Sequence, residues 1–225
     1  MTAWRPRPPD ALVTATRYVA TSRVSGELQL ELLKREGCTP ESSVLEVGCG
    51  CLNAGVPLIA YLRRGNYVGI EPNRWLPDAA FADWRVRLLA RRKRPTLLAV
   101  TDFDARPLGR TYDYVLSHSV LSHCAHWQLE QFLSNVARVL RPGGRILASI
   151  RLAEGNAYGS PGTPDKDDSR HDEWVYPGVS WFKFETVQET AQRHGLTVTV
   201  KPEYTRLYVS RRRHEIHDWL VLARD

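Results

Sequence analysis

A chain of 225 residues, 43% hydrophobic and 25% charged, has the balance of one sizeable globular domain with attachments and not that of a disordered segment. No apolar run approaches the roughly 18 residues of a membrane-spanning helix, and Met1-Thr-Ala-Trp-Arg-Pro-Arg-Pro-Pro-Asp10 lacks the apolar stretch of a secretion signal. The net charge of +6 is concentrated in two clusters, Arg85–Arg94 and Arg211–His214, which read first as solvated basic faces and second as a track for nucleic acid.

In chain order, residues 1–10 form a loose arm, and Ala11–Glu36 is rich in helix formers up to the stop at Gly37. Ser43-Val-Leu-Glu-Val47 is a short β-branched strand that runs into Gly48-Cys-Gly50. A helix over Val56–Arg64, a strand at Tyr67-Val-Gly-Ile70 and a helix over Asp78–Arg92 follow. Thr96–Val100 and Tyr112–Leu116 are the third and fourth strands. Leu129, Phe132, Leu133, Val136 and Leu140 recur at helical spacing over Trp127–Leu140. Arg141-Pro-Gly-Gly144 stops that helix ahead of a fifth strand, Arg145–Arg151.

The alternation predicts a parallel sheet with helices on both faces. It breaks at Ala153–Trp181, an aperiodic stretch of Gly, Pro, Asp and Ser whose length marks a candidate substrate lid. A helix over Glu185–His194 precedes two last strands, Leu196–Tyr204 and Trp219–Ala223, with a turn-sized basic segment between them. That spacing predicts an antiparallel hairpin at the sheet edge. The expected fold is α/β: a Rossmann-like, doubly wound sheet of about seven strands, mostly parallel, in a single domain over residues 11–225. Residues 11–36 would cover it from above.

Chemistry gathers at the ends of the strands. Glycines at a strand-to-helix turn let the backbone approach a ligand closely. The dinucleotide pattern requires a third glycine where Asn53 stands, and the next one comes late, at Gly55, which weakens a nicotinamide or flavin reading. Glu71, twenty-one positions after Gly50, is placed to accept hydrogen bonds from ribose hydroxyls. Glu46 and Asp102 add carboxylates at the same edge, suiting a cofactor with a cationic centre and no phosphates.

Glu46-Val-Gly-Cys-Gly50, Gly69-Ile-Glu71, Asp102-Phe103, Tyr112–His123 and Val139-Leu-Arg-Pro-Gly-Gly-Arg145, in that order, resemble the motifs of the class I S-adenosylmethionine-dependent methyltransferases. The resemblance spans residues 25–151 and, more weakly, Phe182–Ala223. It implies that S-adenosylmethionine is the cofactor, held by Glu46, Gly48, Cys49, Gly50, Gly55, Glu71, Pro72, Asn73, Asp102, Phe103, Ser117 and His118. The first half further resembles a bacterial branch with a small residue at position 51 and arginine at 53. Cys51 and Asn53 depart from that pattern.

His118 and His123, in the loop that faces the transferring methyl in the family, are the first candidates for a catalytic base, with His171 behind them. His123 can equally serve a neighbouring backbone group, and His171 can belong to a solvated acidic loop. Trp174, Tyr176, Trp181 and Phe182 either line an acceptor pocket or anchor the lid. Cys38, Cys49, Cys51 and Cys124 form neither a disulfide framework nor zinc spacing; packing roles, no metal and a reduced cytoplasmic setting are expected. The expected reaction is in-line methyl transfer to an O or N of a small molecule, of the secondary-metabolite kind. An RNA methyltransferase using the basic clusters, or a non-catalytic cofactor-binding protein, is the alternative. Nothing in the sequence reads on oligomeric state.

Overall fold

Short β-branched runs become strands buried on both faces. A computed structural model describes residues 23–157, 178–211 and 217–224, in two compact units, Met1–Ala99 and Val100–Asp225. The arm, the cover up to residue 22, most of the expected lid and the cluster at 212–214 lie outside the described residues.

The first unit holds α1 (Arg23–Arg35), β1 (Val44–Val47), α2 (Gly55–Tyr61), β2 (Tyr67–Ile70), α3 (Trp75–Ala80), α4 (Trp84–Lys93) and β3 (Thr96–Leu98). Its strands run parallel in the order β3-β2-β1, and every residue of β1 and β2 is buried. Leu28, Leu32 and Leu33 bury one face of α1. The helix lies so close to the glycine turn that a methyl group on Gly26 would meet the Asn53 carbonyl oxygen at 1.9 Å.

The single helix expected over Asp78–Arg92 is two. Asp83 Oδ1 accepts the Arg85 N–H at 2.8 Å, the N-cap bond that opens α4. Arg87 satisfies the Phe81 and Ala82 carbonyls between the helices at 2.8 and 3.1 Å. The same helical periodicity runs through both pieces, so the break is set by capping and not by hydrophobic pattern.

The second unit holds β4 (Tyr112–Ser117), α5 (His126–Val139), β5 (Leu140–Ile150), α6 (Phe184–Arg193), β6 (Leu196–Val200), α7 (Pro202–Arg211) and β7 (Asp218–Arg224). Short 3-10 turns occupy Arg106–Leu108 and Leu121–His123. The strand order is β4-β5-β7-β6, with β4 and β5 parallel and β7 antiparallel to both β5 and β6. Phe132, Leu133, Ile146, Leu147, Leu220 and Leu222 form its interior, each contributing about 1.5–3 kcal/mol by leaving water.

Two sequence expectations need correction here. β5 starts at Leu140, not Arg145, because Leu140 pairs with Tyr112 across a register shift and Arg141 ion-pairs Asp113 at 2.7 Å. The link between the last two strands is the helix α7, not a turn. Pro202 fits its first turn, while Tyr204 and Tyr208, one helical turn apart, are buried. The antiparallel β6–β7 pairing itself is as expected, and β6 ends at Val200 to make room for the helix.

Candidate active site

In the first unit the site is built from the β1–α2 turn and the end of β2. Gly48 and Gly50 have φ of +75° and +49°, a region in which a side chain is strained. The Gly48 and Cys49 N–H groups both donate to the Ile70 carbonyl, at 2.9 and 3.0 Å, which fastens the turn to β2 just before Glu71. The Glu71 N–H is held by the Leu98 carbonyl. Its carboxylate accepts the Gly50 N–H at 3.1 Å on Oε2, and the Asn73 N–H and Nδ2 at 2.9 and 3.2 Å on Oε1. Burial raises the Glu71 pKa against the pull of these bonds. A carboxylate has about four lone-pair sites, so Oε2 retains the capacity to accept a ribose hydroxyl.

Glu46 lies deeper than the sequence suggests. It is buried, and Oε2 accepts the Tyr67 hydroxyl at 2.6 Å. Burial pushes its carboxyl up to about 8, against the Tyr67 hydrogen bond and helped by the charge of Glu71. The Cys49 thiol is buried beside these acids and is also pushed well up. Gly55 serves this arrangement, since a methyl group there would meet the Tyr67 hydroxyl at 2.7 Å. Cys51 packs with Leu76, Ala79 and Trp75. Tyr67 was read from the sequence only as a strand residue; its hydroxyl is the partner that Glu46 requires.

In the second unit, Asp102 lies exposed in a turn, with Oδ1 accepting the Asp104 N–H at 3.1 Å and its carbonyl accepting Asn135 Nδ2 at 2.7 Å. Phe103, at φ +61°, turns inward and meets the Phe132 ring edge-on at 5.5 Å between centroids. Ser117 ends β4 fully buried. The His118 ring stacks on Trp219 at 5.5 Å and 19°, tilts against Tyr208 at 5.1 Å and meets His217 edge-on at 5.6 Å. Ser119, next in the chain, donates its N–H to Ser149 Oγ at 2.8 Å.

His123 Nδ1 donates to the Gly178 carbonyl at 2.5 Å, a backbone partner that makes Nε2 the basic nitrogen of the neutral ring. Burial holds its pKa below the usual histidine value, opposed by the Gly178 bond and reinforced by the Arg151 charge. Trp181 and Phe182 form backbone bridges to Ala157 and Leu152, and the Arg151 guanidinium lies 5.8 Å from the Trp181 ring centre. Cys124 is buried under the loop. His171, Trp174 and Tyr176 fall outside the described residues. Among the described residues no three metal-binding side chains converge.

Sequence reasoning missed Arg151, Tyr208, His217 and Trp219. His217 is buried and neither ring nitrogen has a hydrogen-bond partner among the described residues; the same holds for Arg151 Nε and Trp219 Nε1. Burial, with the Arg151 and His123 charges, lowers the His217 pKa to about 4. The alternation His217-Asp-Trp219 on a strand was the only available signal, and it does not say what lies across the ladder.

Residues 45–146 match the family described as "Methyltransferase domain". Among solved structures, the chain is similar to magnesium protoporphyrin IX methyltransferase from Synechocystis PCC 6803 with bound S-adenosylmethionine, at 17% identity and a TM-score of 0.61, over 90% of this chain and 79% of that one. It is similar to an S-adenosylmethionine-dependent methyltransferase from Clostridium acetobutylicum at 11% identity and TM-score 0.64, over 94% and 96% of the two chains. A third likeness is to the glycopeptide N-methyltransferase MtfA, at 16% identity and TM-score 0.60, over 89% and 90%. At these identities the structural likenesses establish the fold, a Rossmann-like α/β arrangement with antiparallel C-terminal strands.

Proposed function

We propose that the chain, which carries a match to a methyltransferase domain over residues 45–146, is a class I S-adenosylmethionine-dependent methyltransferase whose acceptor is an O or N atom of a small molecule, of the kind made in natural-product biosynthesis. The observation that carries this reading is the aromatic and polar cluster in which His118, after β4, packs with His217 and Trp219, at the start of β7, and with Tyr208 of α7, all buried or partly buried. Such a mixed aromatic and polar cluster suits a compact ligand. Two of the structural neighbours are named for a protoporphyrin and a glycopeptide.

S-adenosylmethionine supplies an activated methyl group on a cationic sulfur. The chain's own task is to hold the reactants in line, which in favourable cases removes roughly 7–11 kcal/mol of barrier. The geometry at Glu71 supports a ribose-holding role, with Gly50 keeping the carboxylate aimed. Glu46 gives the cofactor pocket a carboxyl that must lose its proton before it can face a cation. His123 supports the role of base for a hydroxyl or amine acceptor, since its Nδ1 is committed to Gly178 and its lowered pKa keeps the ring neutral near pH 7. His118, packed against the Trp219, Tyr208 and His217 rings, is better placed to orient ligands than to shuttle protons.

An RNA acceptor is less well supported. Lys93, in the basic end of α4, is spent on the Ala60 and Leu62 carbonyls at 2.8 and 2.6 Å. No helix among the described residues is long and apolar enough to cross a membrane. The buried free thiols of Cys38, Cys49, Cys51 and Cys124 suit a reducing compartment, and we place the enzyme in the cytoplasm. The test is mass spectrometry of extracts incubated with the enzyme and a methyl-labelled donor. Label in a low-mass compound is the expected result; label confined to RNA overturns the small-molecule reading.

A further inference from the structure

The β5–β7 ladder pairs Ser149 with Trp219 and Ile150 with Asp218. Continued by one step, it places Arg151 opposite His217. Residues opposite one another, and those two apart along a strand, share a face, so Ser149, Arg151, His217 and Trp219 line one side of the ladder's end. The stacked His118 ring packs against Trp219 on that side.

Arg151 Nε and Trp219 Nε1 are donors only, and a neutral His217 ring adds one N–H beside one acceptor nitrogen, so donors predominate on this face. Arg151 Nε, Trp219 Nε1 and both His217 nitrogens are buried without a hydrogen-bond partner among the described residues. His217 and Trp219 are 5% and 0% exposed. Asp218 is the neighbouring acid, but it alternates to the other face and its Oδ2 accepts the Leu152 N–H at 3.0 Å. Buried polar groups in folded proteins are as a rule paired, so four orphaned atoms on one small face indicate a missing partner. A guanidinium with adjacent neutral N–H donors matches a planar, two-oxygen anion.

We propose that the methyl acceptor carries a carboxylate, and that this group is seated against the Arg151 guanidinium with His217 and Trp219 as its further donors. The low pKa of His217 agrees with a neutral ring there, which leaves Arg151 as the charge that answers the anion among the described residues. The inference rests on the methyltransferase reading and narrows its acceptor class.

The probes are benzoate and its uncharged isostere benzamide, titrated into the full chain saturated with S-adenosylhomocysteine while the Trp219 indole N–H resonance is followed. Benzoate is expected to shift that resonance saturably and benzamide to leave it unmoved. Arg151→Met, which keeps the aliphatic stem, is expected to weaken benzoate about tenfold or more. His217→Phe is the second variant, expected to weaken benzoate by a smaller factor and to serve if Arg151→Met does not fold. Equal responses to the two probes, or undiminished benzoate affinity in the variants, overturn the proposal. A wild-type chain that gives no heat with S-adenosylhomocysteine refutes the cofactor reading instead, so the two failures are told apart.

Discussion

The glycine turn of the first unit and the β5–β7 end of the second are both buried and polar, yet they are finished to different degrees. Around the turn, Glu71 accepts from Gly50 and Asn73, and Glu46 accepts from Tyr67. At the ladder end, Arg151 Nε, Trp219 Nε1 and the His217 ring are left wanting. Every buried side-chain nitrogen or oxygen lacking a partner among the described residues lies in the second unit. The contrast separates two kinds of recognition. A carboxylate aimed by backbone N–H groups is organised before its ligand arrives and loses little entropy on binding. A face of unanswered polar groups carries a standing penalty that only the right ligand relieves, which is a device for specificity.

The largest effect is expected where the finished site is dismantled. Glu71→Ala removes the acceptor of three hydrogen bonds, and calorimetry with S-adenosylhomocysteine should show affinity falling roughly a hundredfold. Unchanged affinity would mean that the Gly50–Glu71 contact merely braces the turn. Gly26→Ala comes next. Helix propensity alone favours alanine by about 1 kcal/mol, but the Asn53 carbonyl leaves no room for the methyl group. Denaturant unfolding should show a net loss of about 1–3 kcal/mol, the usual range for forced overpacking; a gain would mean that α1 does not press on the turn.

A pH series probes Glu46. Its folded pKa, about 8, stands above the ordinary 4.5, so the folded state keeps a proton that the unfolded chain releases. That contribution is complete below pH 4.5 and is lost as pH rises toward 8. Glu46→Gln should therefore flatten the decline in cofactor-free stability over this window and melt higher than wild type at its upper end. Parallel melting curves at all pH values would contradict a buried, proton-bearing Glu46. The smallest effects come from a pair of hydroxyl deletions. Tyr67→Phe strands a buried carboxyl and should cost about 1–2 kcal/mol, whereas Tyr112→Phe removes a hydroxyl with no partner among the described residues and should stay within about 0.5 kcal/mol or stabilise. Equal costs would erase the difference drawn between the two regions.

What the sequence made legible follows the range of the interactions involved. The β1 turn, Glu71 and the alternation of strands and helices are written in local patterns: β-branched runs, paired glycines and an acid at the end of the next strand. The split between α3 and α4 was missed because Arg87 caps it from within a continuous periodic pattern. α7 was missed because its ten residues carry little more than the Tyr204–Tyr208 pair as an apolar stripe. Glu46 was recognised as an acid near the site, but its depth depends on Tyr67, across the β1–β2 pair. Arg151 and His217 are 66 residues apart, and only the antiparallel register brings them opposite each other.

Cofactor recognition, as proposed, is complete at the glycine turn and independent of the polar face at the ladder end. Titration of S-adenosylhomocysteine into wild type, Glu71→Ala and His217→Phe tests this most directly. Binding should collapse in Glu71→Ala and persist at wild-type strength in His217→Phe. A loss in His217→Phe as large as that in Glu71→Ala would contradict it.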